Sequence, residues 1–156
     1  MEVYRVIFDG GTYGITSRSL KVLRNALAER IHHRLAVVEI PTSDLCCGFL
    51  ILDRDTREAV FTGDGFRVDG GGEGGAGYRS ARALFRVFGL TPIPWEPVPV
   101  DEIYDLDAWM EDSGMFRRES TGSLEKKLTE VAREIAGILG EDRYVRPSGR
   151  NPCYVR

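Results

Sequence analysis

Apolar and polar positions follow two rhythms along this chain. Val3-Tyr4-Arg5-Val6-Ile7-Phe8 alternates in part and runs into Asp9-Gly10-Gly11, which predicts a strand closed by a turn. After Thr16 or Ser17 as N-cap, Leu20, Leu23, Leu27 and Ile31 recur at helical spacing, with Arg18, Lys21, Arg24 and Asn25 largely off that stripe. An amphipathic helix with one buried and one basic face is expected. Leu35 to Ile40 is rich in β-branched residues and is stopped by Pro41, the mark of a second strand. Phe49-Leu50-Ile51-Leu52, a polar turn from Asp53 to Arg57, and Glu58-Ala59-Val60-Phe61-Thr62 predict an antiparallel hairpin.

Helical spacing returns at Ala81, Leu84, Phe85 and Phe88, with Gly89 as the stop and Arg79, Arg82 and Arg86 along the opposite side. Pro92, Pro94, Pro97 and Pro99 then force an extended crossing segment, because proline fixes φ and removes a donor. Ile103, Leu106 and Met110 nearly share a face before Ser113-Gly114, a short helix. In the last helix Ser123 is the cap, Leu124, Leu128, Val131, Ile135 and Ile138 form a narrow apolar seam, and Gly140 is the end. Tyr144-Val145 suits a short edge strand. A parallel-capable start joined to an antiparallel middle predicts an α/β (α+β) fold: one domain over 1–142, a mixed sheet with a hairpin and about three helices packed on it, then a basic tail over 143–156. The alternative is a ferredoxin-like plait with an added strand.

Composition narrows the class. At 156 residues one core suffices, and no apolar run approaches the roughly 20 residues of a membrane span. Met1 leads directly into strand-like sequence without a secretory signal, so the expected compartment is cytoplasmic. Cys46, Cys47 and Cys153 are three cysteines without zinc-type spacing, which leaves reduced thiols as the expectation. Asn25 and Asn151 are the only side-chain amides, a scarcity that suits a thermophilic source. The net charge of −3 excludes a globally basic nucleic-acid binder but leaves local patches. Glu96 to Asp112 carries seven acids and no base, whereas Arg143, Arg146, Arg150 and Arg156 form a tail without an acid. The two could neutralise each other within one chain or join two copies as a homodimer.

The chemistry-bearing segment is Gly63 to Gly77, where glycine allows close backbone approach and positive φ. Placed before an arginine-striped helix, Gly70, Gly72, Gly74, Gly75 and Gly77 could offer backbone donors to a small phosphate-bearing or other anionic ligand, with Arg79, Arg82 and Arg67 as counter-charge. The dinucleotide spacing G-x-G-x-x-G occurs twice but is nearly guaranteed at this glycine density, and the strand that should follow the helix is replaced by prolines. No Walker-type Gly-Lys-Ser or Gly-Lys-Thr occurs. Asp64, Asp69 and Glu73, with Asp9, could hold a hard cation such as Mg²⁺. The bland rival is a mobile flap that binds nothing.

Two further readings compete. Arg18, Lys21, Arg24, Arg79, Arg82 and Arg86 on a shared face would make a nucleic-acid-binding module, and the final helix seam with the tail would make an assembly subunit that needs no ligand. His32 and His33, about 100° apart on a helix, read as surface residues. Cys46 or Cys47 could be a nucleophile only with one of those histidines as base. Trp95 and Trp109 read as core or groove-covering residues.

Overall fold

The computed structural model describes residues 4–8, 15–98 and 122–140. Among the described residues, apolar runs read as strands form a mixed six-stranded sheet, and three helices cover it. The strands are β1 (Arg5–Phe8), β2 (Leu35–Pro41), β3 (Cys46–Asp53), β4 (Glu58–Phe61), β5 (Phe66–Arg67) and β6 (Ile93–Pro94). The helices are α1 (Thr16–Ala28), α2 (Gly72–Val87) and α3 (Gly122–Leu139). The main path is β1-β4-β3-β2-β6, with β5 paired to the start of β3.

The expected hairpin is β3–β4, antiparallel with Leu50 opposite Phe61 and Asp53 opposite Glu58. β2 is also antiparallel to β3, whereas β1–β4 and β2–β6 are parallel. Five strands, β5 among them, therefore run one way and the central β3 runs against them. The connections β1-α1-β2 and β4-α2-β6 each pass two intervening strands in the same direction along the sheet. That common step lays α1 and α2 side by side on one face.

Alternation along the strands divides the core in two. Leu35 and Val37 of β2 and Cys47, Phe49 and Ile51 of β3 face Leu23, Ala26 and Leu27 of α1 and Ala81 and Phe85 of α2. Ala36, Val38, Ile40, Leu50 and Leu52 face Leu128, Val131, Ala132, Ile135 and Ala136 of α3. A sheet covered on both faces explains why β2 and β3 read as near-continuous apolar runs rather than alternating ones. Helix on both faces and the parallel pairs set aside the plait alternative. Phe49 is the keystone: its ring meets Phe85 edge-on at 4.9 Å, Phe66 at 5.2 Å and Tyr78, stacked, at 6.0 Å. Such pairs add about 0.5–1.5 kcal/mol each beyond area burial.

The helix ends follow backbone chemistry, with one departure. Gly89, at φ +74°, lets α2 stop, because its N–H donates to Arg86 O and that of Leu90 to Phe85 O, closing the last carbonyls. Gly140, at φ +76°, ends α3 in the same left-handed region. At α1 the expected cap is not used: Thr16 is already helical, Ile15 precedes it, and the Thr16 hydroxyl donates to Gly65 O at 2.6 Å. A tertiary acceptor outcompetes the local one. The α1 stripe also ends early, since Ile31 lies past the helix and is 60% exposed.

The α3 seam differs from expectation in a way that bears on assembly. Leu128, Val131 and Ile135 are buried on the chain's own sheet, while Ile138 is 69% exposed. The seam is thus spent on this chain's core. Gly137 has open space where a Cβ would stand, so Gly137→Ala is expected to raise the denaturant midpoint by about 0.5–1 kcal/mol of stability through helix propensity alone. A fall in the midpoint would contradict the helix there. No helix among the described residues is long and apolar enough to cross a membrane. The short helix over 102–110, the acidic positions from Asp101 to Asp112, Trp109, Asp9, Cys153, the Tyr144-Val145 strand and the tail 143–156 lie outside the described residues.

Candidate functional site

The glycine segment leaves β4 at the end of the sheet where the parallel strands finish. Gly65 is the first close approach: a Cβ there would lie 2.7 Å from both Ile15 O and Ser19 Oγ. Its N–H donates to Ser19 Oγ at 3.1 Å. This clamps the start of α1 to the loop after β4. Then comes β5, and at Asp69 the chain turns: Oδ1 accepts the Gly71 N–H at 3.0 Å, and Arg67 grips both carboxylate oxygens at 3.0 and 2.6 Å. Gly70 (φ +81°) and Gly72 (φ +59°) supply the left-handed backbone this turn requires.

Helix α2 begins at Gly72, inside the glycine run and not after it. The reason for so much glycine in its first turns is contact. A Cβ on Gly74 would meet Arg67 Cγ at 2.7 Å, one on Gly75 would meet Gly70 C at 2.1 Å, and one on Gly77 would meet Thr16 Cγ2 at 2.4 Å. Gly75 N–H already donates to Gly71 O at 2.8 Å, and Gly77 lies two residues further into the helix. Of the glycines expected to face a ligand, Gly70 and Gly72 lie in the turn, Gly74 lies in the first helical turn, and Gly75 and Gly77 have no free donor.

The three expected counter-charges have different fates. Arg67 is committed to Asp69, and that bond, with the Gly71 N–H, holds the Asp69 carboxyl down to about 2. Arg82 bonds Glu39 Oε1 at 3.2 Å and the Tyr78 oxygen at 3.4 Å and lies over the Tyr78 ring. Tyr78 donates to the same Glu39 oxygen at 2.9 Å, and burial with that bond raises its pKa. Arg79 donates to Gly70 O at 3.2 Å and has no ion-pair partner among the described residues.

The expected cation ligands do not come together. Asp64 is buried and accepts from the Thr42 hydroxyl at 3.1 Å, Asp69 pairs with Arg67, and Glu73 sits exposed in the first turn of α2. Asp64 and Asp69 have separate partners, and no group of three possible metal ligands among the described residues includes any of the three. The cysteine reading also fails. Cys47 is buried, and burial, with Glu39 next, pushes its thiol far up, away from the thiolate form. Both cysteines open β3, whereas His33 bonds Asp53 at its far end, about 24 Å away along an eight-residue strand.

That far end holds a network the sequence reading missed. His33 Nδ1 lies 2.6 Å from Asp53 Oδ2, Arg30 Nε lies 3.1 Å from the same oxygen, and Asp53 Oδ1 accepts the N–H groups of Asp55 and Thr56 at 3.0 and 3.1 Å. Arg30, itself buried, continues to Glu58 at 2.7 Å, which also meets Arg5. The network ties the end of α1 to the β3–β4 turn. His33, Asp53 and Asp55 bring donor atoms within 4.8 Å of one another, but Arg30 and Arg34 already neutralise the two carboxylates, so the charge a cation would seek is spent. The sequence signal was Asp53-x-Asp55 at the close of an apolar run, a turn-forming pattern.

The cations at the ends of the sheet and those on the α1–α2 layer have different surroundings. At the ends of the sheet Arg5, Arg30, Arg34, Arg67 and Arg82 each have an acidic partner. On the solvent side of the α1–α2 layer, Arg18, Lys21, Arg24, Arg79 and Arg86 are exposed and have none among the described residues. Comparison with protein-family models, curated proteins and solved structures returns no match. The chemistry of this layer must therefore be read from its own residues. Glu29, which leans on Arg30, and Glu73 are the exposed acids of the two helices and their ends.

Proposed function

We propose that this protein binds nucleic acid through the outer face of the α1–α2 layer. The observation that carries the reading is the five exposed cations without acidic partners among the described residues, gathered on two adjacent helices of a chain whose net charge is −3. The arginines at the ends of the sheet already have acidic partners, and exposed Lys126 and Arg133 lie apart on α3, so the α1–α2 face is where phosphates would supply counter-charge to several cations at once. Backbone phosphates need cations and little else, and their binding releases condensed counterions.

A second reading has one observation in its favour. Arg79 rests against Gly70 at the amino end of α2, where the N–H groups of Gly72, Glu73 and Gly74 could receive a single small phosphate. Fluorescence anisotropy with a labelled oligonucleotide separates the two. On the nucleic-acid reading, log Kobs falls with log salt, Arg79→Ala/Arg86→Ala reduces the slope by about 0.9 for each lost phosphate contact, and ATP or inorganic phosphate competes poorly. Efficient displacement by ATP or phosphate, with a flat salt dependence, would favour the small ligand and sink the polymer.

A further inference from the structure

We infer that the ligand of this face is a nucleic-acid duplex, gripped along both backbones by two separate basic rails; the inference rests on the nucleic-acid reading above. The rails follow from how α2 is rolled. Its Gly77 flank packs on Thr16 and Leu20 of α1, while Arg82 reaches away to Glu39 on β2. Arg79 and Arg86 share the Arg82 side of the helix at spacings of three and four, so they line the flank of α2 remote from α1. On α1, Arg18, Lys21 and Arg24 recur every three residues along exposed positions.

Between the rails stands the crest of α2, where Ala76, Ser80 and Ala83 are exposed, with the exposed Glu73 at its amino end and Val87 at its carboxyl end. The small side chains at the middle of that crest, between two lines of charge, can approach a groove while the charges reach the strands on either side. The same face lacks what a single strand requires. Sequence-tolerant single-strand binding depends on aromatic platforms for the bases, and no aromatic residue of α1 or α2 is exposed: Phe85 is buried and Tyr78 is half-buried against Phe49. With cations but no stacking surface, the face can read backbones and not bases.

The test compares one sequence as a duplex of about two helical turns and as each separate strand, against wild type, an α1-rail variant (Arg18→Ala/Lys21→Ala/Arg24→Ala) and an α2-rail variant (Arg79→Ala/Arg86→Ala). All five residues are exposed, and an unchanged denaturant midpoint confirms that each variant is folded. The duplex is expected to bind about tenfold or more tighter than either strand at low salt, and each rail to contribute about 0.9 to the salt slope per residue removed. Single strands binding as tightly as the duplex, or a rail variant with undiminished duplex affinity and slope, would overturn the duplex while leaving nucleic-acid binding intact. Absence of binding to any of the three at low salt would overturn both.

Discussion

Asp53→Ala is expected to cost about 3–5 kcal/mol of folding stability, the range seen when one member of a buried charge pair is removed. Asp53 is fully buried and its two oxygens serve His33, Arg30 and the N–H groups of Asp55 and Thr56. Deletion leaves two turn amides without an acceptor and a buried guanidinium with only Glu58 and Glu29 as acidic partners. His33→Ala removes a single bond from a half-exposed ring and is expected to cost about 1 kcal/mol. Denaturant midpoints of the two variants decide the matter. Equal, small losses would mean that Asp53 does not organise this end of the sheet.

The same network predicts an acid limb in the stability profile. Burial alone would raise the Asp53 pKa, but the bonds from His33 and from the Thr56 and Asp55 amides outweigh it and lower it. Arg30, with Arg5 adding to it, lowers Glu58 against a small burial effect. Because both folded values lie below the unfolded ones, the unfolded chain takes up protons first as pH falls. The stabilisation is complete above the unfolded pKa values, about 4, and is lost as pH falls through them toward the folded values. The midpoint is expected to be level from neutrality to about pH 5 and to drop below about pH 4. Asp53→Asn is expected to flatten that drop, and an unchanged slope would assign it to other carboxylates.

These residues also mark where reading the chain succeeds and where it stops. β2, the hairpin, α1 and the body of α3 were legible because apolar runs and 3.6-residue spacing are local signals. β5 and β6 are two residues each, too short for any period, and β6 even contains Pro94, tolerated at a sheet edge. The partners that decide the fate of charged groups are remote: Arg82 finds Glu39 43 positions away and His33 finds Asp53 20 away. No window of sequence contains both members. Arg67 with Asp69, two apart, and Arg30 with Glu29, adjacent, are pairs within local reach. The start of α2 was misplaced for a different reason. Glycine costs about 1 kcal/mol per residue relative to alanine inside a helix, so propensity argued for a loop where tertiary contact demanded a helix without side chains.

Gly75→Ala is expected to destabilise by about 3 kcal/mol or more, although alanine is otherwise the better helix former. Its Cβ would lie 2.1, 2.3 and 2.6 Å from the C, O and Cα of Gly70, and backbone cannot rotate out of the way as a side chain can. Gly70 itself is held in the turn closed by Asp69 and Arg67, so the clash must shift α2 against β5 and, through Phe85, against Phe49. Gly72→Ala is the control. Nothing stands within 4 Å of its Cβ, and its φ of +59° limits the expected loss to about 1–2 kcal/mol. If the segment were a mobile flap, both substitutions would leave the denaturant midpoint unchanged or raise it. Gly72→Ala also remains folded enough to be assayed, and it touches the amino end of α2 without touching either rail. Undiminished duplex binding by that variant is expected if the rails are the site, whereas a selective loss of phosphate or nucleotide binding would return the weight to the turn.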